Sequence, residues 1–221
     1  MTDSTENHLE KIYEQRFSSR EEYRRKVWQA LVSGWFHRYI PADGAVLDLG
    51  CGYGEFINAV NVPVRYAMDL NPASKQHLDP GVCLFQQDCS QEWPLQDASL
   101  GLVFTSNFLE HLPSKASAEA ALRQAWRCLR PGGRFIALGP NIKYLPGAYW
   151  DFWDHYLPIT ETSLAEGLQI AGFRMEKVIP RFLPYTMAGG RQYPVLFVRA
   201  YLRCRVVWPI LGRQFLVIAT K

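Results

Sequence analysis

Apolar positions along this chain recur first at helical and then at strand spacing. Between about Leu9 and Tyr39, Tyr23, Val27, Ala30 and Leu31 form one stripe, and Glu21 stands one turn before Arg25. The spacing predicts a helix there, broken by Pro41 and Gly44. Short apolar runs follow at Ala45–Leu49, Val64–Met68, Val82–Phe85, Leu100–Thr105 and Arg134–Leu138, and each reads as a strand. Amphipathic stretches separate them: a short helix from about Tyr53, and a longer one from Ser114 to Leu129. Ser114 is its expected N-cap and Pro131-Gly-Gly its expected stop. A further helix runs from Thr160 to Ala171 and ends at Gly172, with Thr160 and Ser163 offering half a capping box. Phe173–Ile179 and Gln214–Ala219 complete the strands. Strands alternating with helices predict parallel crossovers and an α/β, doubly wound sheet.

Composition narrows the class. The 221 residues suit one domain, residues 41–221, with residues 1–40 as an N-terminal helical cap or lid. A net charge of +3, from 24 basic and 21 acidic residues, is too mild to argue for nucleic acid. The charge is uneven, however: no acidic residue follows Glu176, and eight basic residues do. None of the five cysteines makes a C-x-x-C pair, which argues against zinc and fits reduced thiols in the cytoplasm. The polar N-terminus lacks a signal-peptide core, and no uncharged apolar run reaches a membrane-spanning length.

The first strand ends in Val46-Leu-Asp-Leu-Gly-Cys-Gly-Tyr-Gly54. Alternate glycines let the backbone turn sharply and approach a ligand, and the turn feeds a helix N-terminus. The G-x-G-x-G spacing differs from the G-x-G-x-x-G of dinucleotide binders and lacks the Gly-Lys-Ser/Thr of a phosphate loop.

This stretch resembles the first motif of class I S-adenosylmethionine-dependent methyltransferases. The resemblance extends over about residues 45–140. Asp69 ends the second strand, where the family's acid binds both ribose hydroxyls, a task suited to a carboxylate. Asp88 and Cys89 follow the third strand, where the family meets adenine. Asn107 follows the fourth, and Leu129-Arg-Pro-Gly-Gly-Arg-Phe135 resembles the motif before the fifth. The resemblance implies cofactor contacts at Asp48, Gly50, Cys51, Gly52, Gly54, Asp69, Leu70, Asp88, Cys89 and Asn107. It also implies a seven-stranded, mostly parallel sheet with an antiparallel last strand, Rossmann-like in layout.

Acceptor chemistry is expected on the same rim. Residues 140–160 carry Tyr144, Tyr149, Trp150 and Trp153, interleaved with Asp151, Asp154 and His155. They form either a substrate wall or an aromatic mini-core beneath a long loop. Methyl transfer to oxygen needs a proton removed, so His111 and His155 are candidate bases, beside Glu110. Tyr13 and Arg16 are candidates to touch substrate or cofactor from an N-terminal lid. Asn107-x-x-Glu110-His111 is also similar to the Glu-x-x-Glu-His motif of metal-dependent small-RNA 2′-O-methyltransferases. That implies a divalent ion on Glu110, His111 and His155, although Asn107 stands where an acid is needed. The Tyr144–His155 pattern with Pro180-Arg-Phe-Leu-Pro-Tyr185 resembles a bacterial subgroup of small methyltransferases that accompanies genes for surface glycans or secondary metabolites.

The function expected is methyl transfer to a hydroxyl of a sugar, glycan intermediate or small metabolite. The alternatives are N-methylation of a small amine, a nucleotide-binding oxidoreductase, and a ligand-binding scaffold without turnover. Residues 185–212 read as a basic, apolar insertion before the last strand. In Pro194–Trp208, Arg199 and Arg203 share a helical face. This segment either packs on the sheet or lies at the inner membrane face, which would suit a lipid-linked acceptor.

Overall fold

The computed structural model describes residues 21–185 and 192–221. The described chain forms strands β1 (Ala45–Leu49), β2 (Val64–Asp69), β3 (Val82–Gln86), β4 (Leu100–Ser106), β5 (Leu129–Pro140), β6 (Arg174–Leu183) and β7 (Gln214–Thr220). Its helices are α1 (Glu21–Gly34), α2 (Glu55–Ala59), α3 (Ser74–His77), α4 (Lys115–Cys128), α5 (Glu161–Ile170), α6 (Val195–Arg203) and α7 (Trp208–Leu211). The seven strands make one sheet in the order β3-β2-β1-β4-β5-β7-β6. Pairing is parallel from β3 through β5, while β7 is antiparallel to both β5 and β6. The alternating units expected from the apolar runs thus assemble as a doubly wound sheet with an antiparallel last strand.

The central strands β1 and β4 are mostly apolar because both sheet faces are covered. Ala45, Leu47 and Leu49 of β1 point into the cluster that holds Leu122, Ala125 and Leu168, from α4 and α5. Val46 points the other way, into the cluster with Leu31, Phe56 and Leu202, from α1, α2 and α6. Leu31, Val32, Trp35, Phe36 and Tyr39 of the N-terminal helical segment join this second core. Phe36 and Trp28 meet Phe104 of β4 edge-on, with centroids 5.3 and 5.7 Å away. The i,i+4 ion pair on α1 is Glu22–Lys26 at 2.7 Å, while Glu21 lies 3.1 Å from His77 Nδ1. Tyr13 and Arg16 lie outside the described residues.

Three local expectations need correction. Ser114 caps α4 as expected, accepting the Ser117 N–H at 3.1 Å, but the helix stops at Cys128, before Pro131-Gly-Gly. Arg130, before the proline, is driven to extended backbone, and Leu129 already leaves the helix at φ −69° and ψ 137°. β5 therefore begins at Leu129 and carries Pro131-Gly-Gly in a register shift between its pairings with Leu100 and Leu102. The α5 capping box is complete: Thr160 Oγ1 accepts the Ser163 N–H and Ser163 Oγ accepts the Thr160 N–H, both at 3.0 Å. β6 continues through Pro180 to Leu183, with its own register shift against β7. Among the described residues the five cysteines are free and no helix is long and apolar enough to cross a membrane.

Candidate active site

The sheet reverses its winding between β1 and β4. In open α/β sheets, ligands bind outside the carboxyl ends of the strands at such a point. Here those ends are Leu49 and Ser106, and the glycine turn leaves the first of them.

Gly50 and Gly52 adopt φ of 69° and 54°, backbone that a side chain opposes. The turn is tied to β2 from two directions. The Gly50 N–H donates to the Met68 carbonyl at 2.8 Å, and the Gly52 N–H donates to Asp69 Oδ2 at 2.8 Å. Asp69 Oδ1 accepts the Asn71 N–H at 2.9 Å. The carboxylate thus shapes the loop and keeps further lone pairs for a ligand. Burial pushes its carboxyl up, against the opposing pull of amides at Asn71, Gly52 and Leu70 and of the His111 charge. Leu70, beside it, is 46% exposed and offers an open apolar surface.

The other residues expected to meet the cofactor range from buried to exposed. Asp48 is buried beneath the turn; desolvation and the neighbouring Glu55 push its carboxyl well above its usual range. Burial likewise pushes the Cys51 thiol well up and the Cys89 thiol to about 12, so neither is an activated nucleophile. Gly54 caps α2 in left-handed backbone. Asp88 is exposed and accepts the Ser90 N–H at 2.8 Å through Oδ1. Asn107 has φ of 49°, donates its main-chain N–H to Leu138 O at 2.9 Å and its Nδ2 to Ser106 Oγ at 2.9 Å. Its Oδ1 is buried with no hydrogen-bond partner. A buried acceptor in that state favours a donor from a ligand. Left-handed glycines, a buried carboxylate at the end of β2 and this orphaned acceptor at the end of β4 fit S-adenosylmethionine.

The expectations assigned no role to Phe108. Its ring lies against Gly50, where a Cβ would meet Phe108 Cγ at 2.1 Å. The glycine at position 50 is therefore required by packing as well as by φ. No spacing in the sequence signals this contact.

A 3-10 turn at Leu109–His111 follows, and the aromatic loop is latched to it. The Glu110 carbonyl accepts the N–H groups of Tyr156 and Leu157 at 2.8 and 3.1 Å. His111 Nδ1 lies 2.8 Å from the Asp154 carbonyl oxygen and 3.2 Å from Asp154 Oδ2. The His155 ring is 4.8 Å from that of His111 and stacks on Phe152. Burial draws the His111 pKa down, but Asp154 and Glu110 outweigh it and the net shift is upward. Burial also pushes the Glu110 carboxyl to about 7. One ligand atom each from Glu110, His111 and His155 lies within 4.8 Å of the others, so the trio could gather around a small cation.

Of the expected substrate wall, Tyr149 turns inward. It is wholly buried, its hydroxyl donates to the Leu157 carbonyl and accepts the Ile159 N–H, and a tyrosine so enclosed braces the loop rather than touching an acceptor. Trp150 is exposed and Trp153 is 84% exposed, so both remain available for contact. Tyr144 lies under the Arg181 guanidinium, 4.8 Å from its ring centre.

A family model for a methyltransferase domain matches residues 20–178. A probable S-adenosylmethionine-dependent methyltransferase of Mycolicibacterium smegmatis is 31% identical over 163 residues, 71% of this chain and 60% of that protein. The 27-O-demethylrifamycin SV methyltransferase of Amycolatopsis mediterranei is 33% identical over 112 residues, 45% of this chain and 39% of that protein. The chain thus spans only part of each relative. A crystal structure of a methyltransferase from Thermotoga maritima, described as a possible histamine N-methyltransferase, is similar with a TM-score of 0.70. It covers 97% of this chain and 99% of its own at 16% identity, a likeness of fold alone. By the family match, the sheet order and the glycine turn, this chain belongs to the methyltransferase-domain family, with the class I fold of its S-adenosylmethionine-dependent members.

Proposed function

We propose that the protein moves a methyl group from S-adenosylmethionine to a hydroxyl oxygen of a sugar, a glycan intermediate or another small metabolite, with His111 as the base. The observation that carries this reading is the hold of Asp154 on His111 Nδ1, on the same rim as Asp69. Bound S-adenosylmethionine supplies a methyl carbon already activated by its positive sulfur. The glycine turn, Asp69 and Asn107 hold and orient that donor. His111 Nε2 takes the proton of the acceptor hydroxyl, and Asp154 stabilises the resulting imidazolium. Trp150 and Trp153 offer apolar faces on which a sugar ring or a hydrophobic metabolite can rest. The oxygen acceptor in the name of the Amycolatopsis relative agrees with this reading. Turnover is followed as S-adenosylhomocysteine release with hydroxylated and amine acceptors. Loss on His111→Gln with the hydroxyl acceptor supports the reading; amine turnover indifferent to both histidines points to N-methylation instead.

The trio of Glu110, His111 and His155 favours a second reading, in which a divalent ion lowers the hydroxyl pKa. Asn107 is a poorer ligand than an acid, and a Glu110 carboxyl pushed to about 7 is a weak anion at neutral pH. Activity that falls on chelation and returns with added divalent ion selects the metal route.

A further inference from the structure

We infer that residues 192–213 dock this protein on an anionic lipid surface. Fourteen large apolar residues are exposed among the described residues, and six fall here: Tyr193, Leu196, Phe197, Val206, Ile210 and Leu211. Leu196, Val206 and Ile210 are 73%, 77% and 67% exposed. The core does not need them. The inner side of this segment is already anchored through Leu202 and Trp208, the latter 5.0 Å edge-on from both Trp35 and Phe182.

Helical geometry sorts α6 into sectors. At about 100° per residue, Val195, Val198, Tyr201 and Leu202 face inward. Leu196, Phe197 and Ala200 make an outward apolar arc, and Arg199 and Arg203 lie along one side of it. Exposed Arg213 follows, Arg205 lies over the Trp35 and Trp208 rings, and no acidic residue lies between Lys177 and the last residue. An apolar arc bordered by arginine is the arrangement of a helix lying in a lipid interface, with its basic groups at anionic headgroups.

The topology ties both ends of this segment to the edge of the sheet that carries the candidate site. β5 and β6 run the same way, each antiparallel to β7. Pro140 and Leu183, near the carboxyl ends of β5 and β6, both pair with Gln214 at the start of β7. The segment therefore leaves and rejoins the sheet at the edge where Asn107 and His111 stand. Docking there would present the site to an acceptor held at the membrane. The inference does not depend on which acceptor is methylated.

Flotation of the full chain with vesicles of phosphatidylcholine plus phosphatidylglycerol tests it, against phosphatidylcholine alone. The protein should float with the anionic vesicles only and be released by high salt. Each of Arg199→Gln and Arg203→Gln should weaken binding about fivefold, the equivalent of about 1 kcal/mol per basic residue. Leu196→Ser with Phe197→Ser should abolish flotation. Unchanged S-adenosylhomocysteine binding and circular dichroism show that these surface variants are folded. Three results overturn the inference: no flotation of the native chain, equal flotation on phosphatidylcholine alone, or binding indifferent to both sets of substitutions. A dimer in sedimentation that Phe197→Ser dissolves and vesicles do not displace makes the surface an interface between copies, and also overturns it.

Discussion

His111 reaches 43 residues along the chain to Asp154, placing Nδ1 2.8 Å from its carbonyl oxygen and 3.2 Å from its carboxylate. A carbonyl oxygen can only accept, so Nδ1 carries the hydrogen. In the neutral ring the free lone pair is then on Nε2. One contact thereby settles the tautomer, latches the aromatic loop to the rim and stabilises the protonated ring.

If His111 is the base, its removal should cost what general-base catalysis supplies. His111→Gln should lower kcat for a hydroxyl acceptor by about 10²-fold or more while S-adenosylhomocysteine affinity holds. Asp154→Asn should act through the pH profile. Asp154 helps hold the His111 pKa up against the lowering by burial. Without it the ring deprotonates at lower pH, and the acidic limb of kcat/KM moves down. A limb that stays in place in Asp154→Asn excludes His111 as the group that titrates.

Glu110 should make the folded state lose stability as pH rises. Its carboxyl is pushed from 4.5 to about 7, chiefly by burial, with His111 opposing and Asp154 adding. Between those values the folded protein keeps a proton that the unfolded chain has released. Stability therefore falls through that window, at most by about 1.4 kcal/mol per pH unit. The upward shift of His111 acts in the same direction. Tyr149 also senses the Glu110 charge, but its phenol, pushed further up chiefly by burial, titrates above this window. Urea titrations from about pH 5 to about pH 8 should show a flatter profile for Glu110→Gln. Equal slopes in the two proteins would mean that Glu110 is ionised throughout.

Which features were legible in the sequence follows from how locally they are encoded. Leu100–Ser106 announces itself as a strand because both faces are covered and every residue before Thr105 is apolar or glycine. The glycine turn is legible because left-handed backbone restricts residue choice, and Asp69 because it is the acid that closes the apolar run of β2. Ser163 is a less obvious partner for a capping box than glutamate, so half of that box escaped. Tyr149 and Trp153 are four residues apart in one aromatic run, yet one is interior and the other open. Only the fold of residues 140–160 decides that. Phe108 against Gly50 and Asp154 against His111 are contacts between separate segments, and no local pattern carries them.

Asp69 should matter to binding as well as to the shape of the turn. Its two oxygens accept the Gly52 and Asn71 N–H groups, and asparagine retains one such acceptor. Hydrogen bonds to a charged group contribute about 1.5–3 kcal/mol each. Asp69→Asn should therefore weaken S-adenosylhomocysteine binding by about 10- to 100-fold in calorimetry. Asp88→Asn, at an exposed site, should cost less. Equal losses at both positions would place the ribose elsewhere.

The contact between Gly50 and Phe108 can be isolated by a double-mutant cycle. At φ of 69°, an alanine at position 50 costs about 1–2 kcal/mol in backbone strain. Its Cβ would also sit 2.1 Å from Phe108 Cγ, so the ring must move, adding an overpacking cost of about 1–3 kcal/mol. Gly50→Ala alone should then destabilise by roughly 2–5 kcal/mol in urea unfolding. Phe108→Ala empties the space that the new methyl group needs. Combining the two should recover the overpacking part, leaving the pair less destabilised than the sum of the singles by about 1–3 kcal/mol. The backbone strain stays in either case, so recovery should be incomplete. Strict additivity would show that Phe108 does not rest on Gly50 and that only φ requires the glycine.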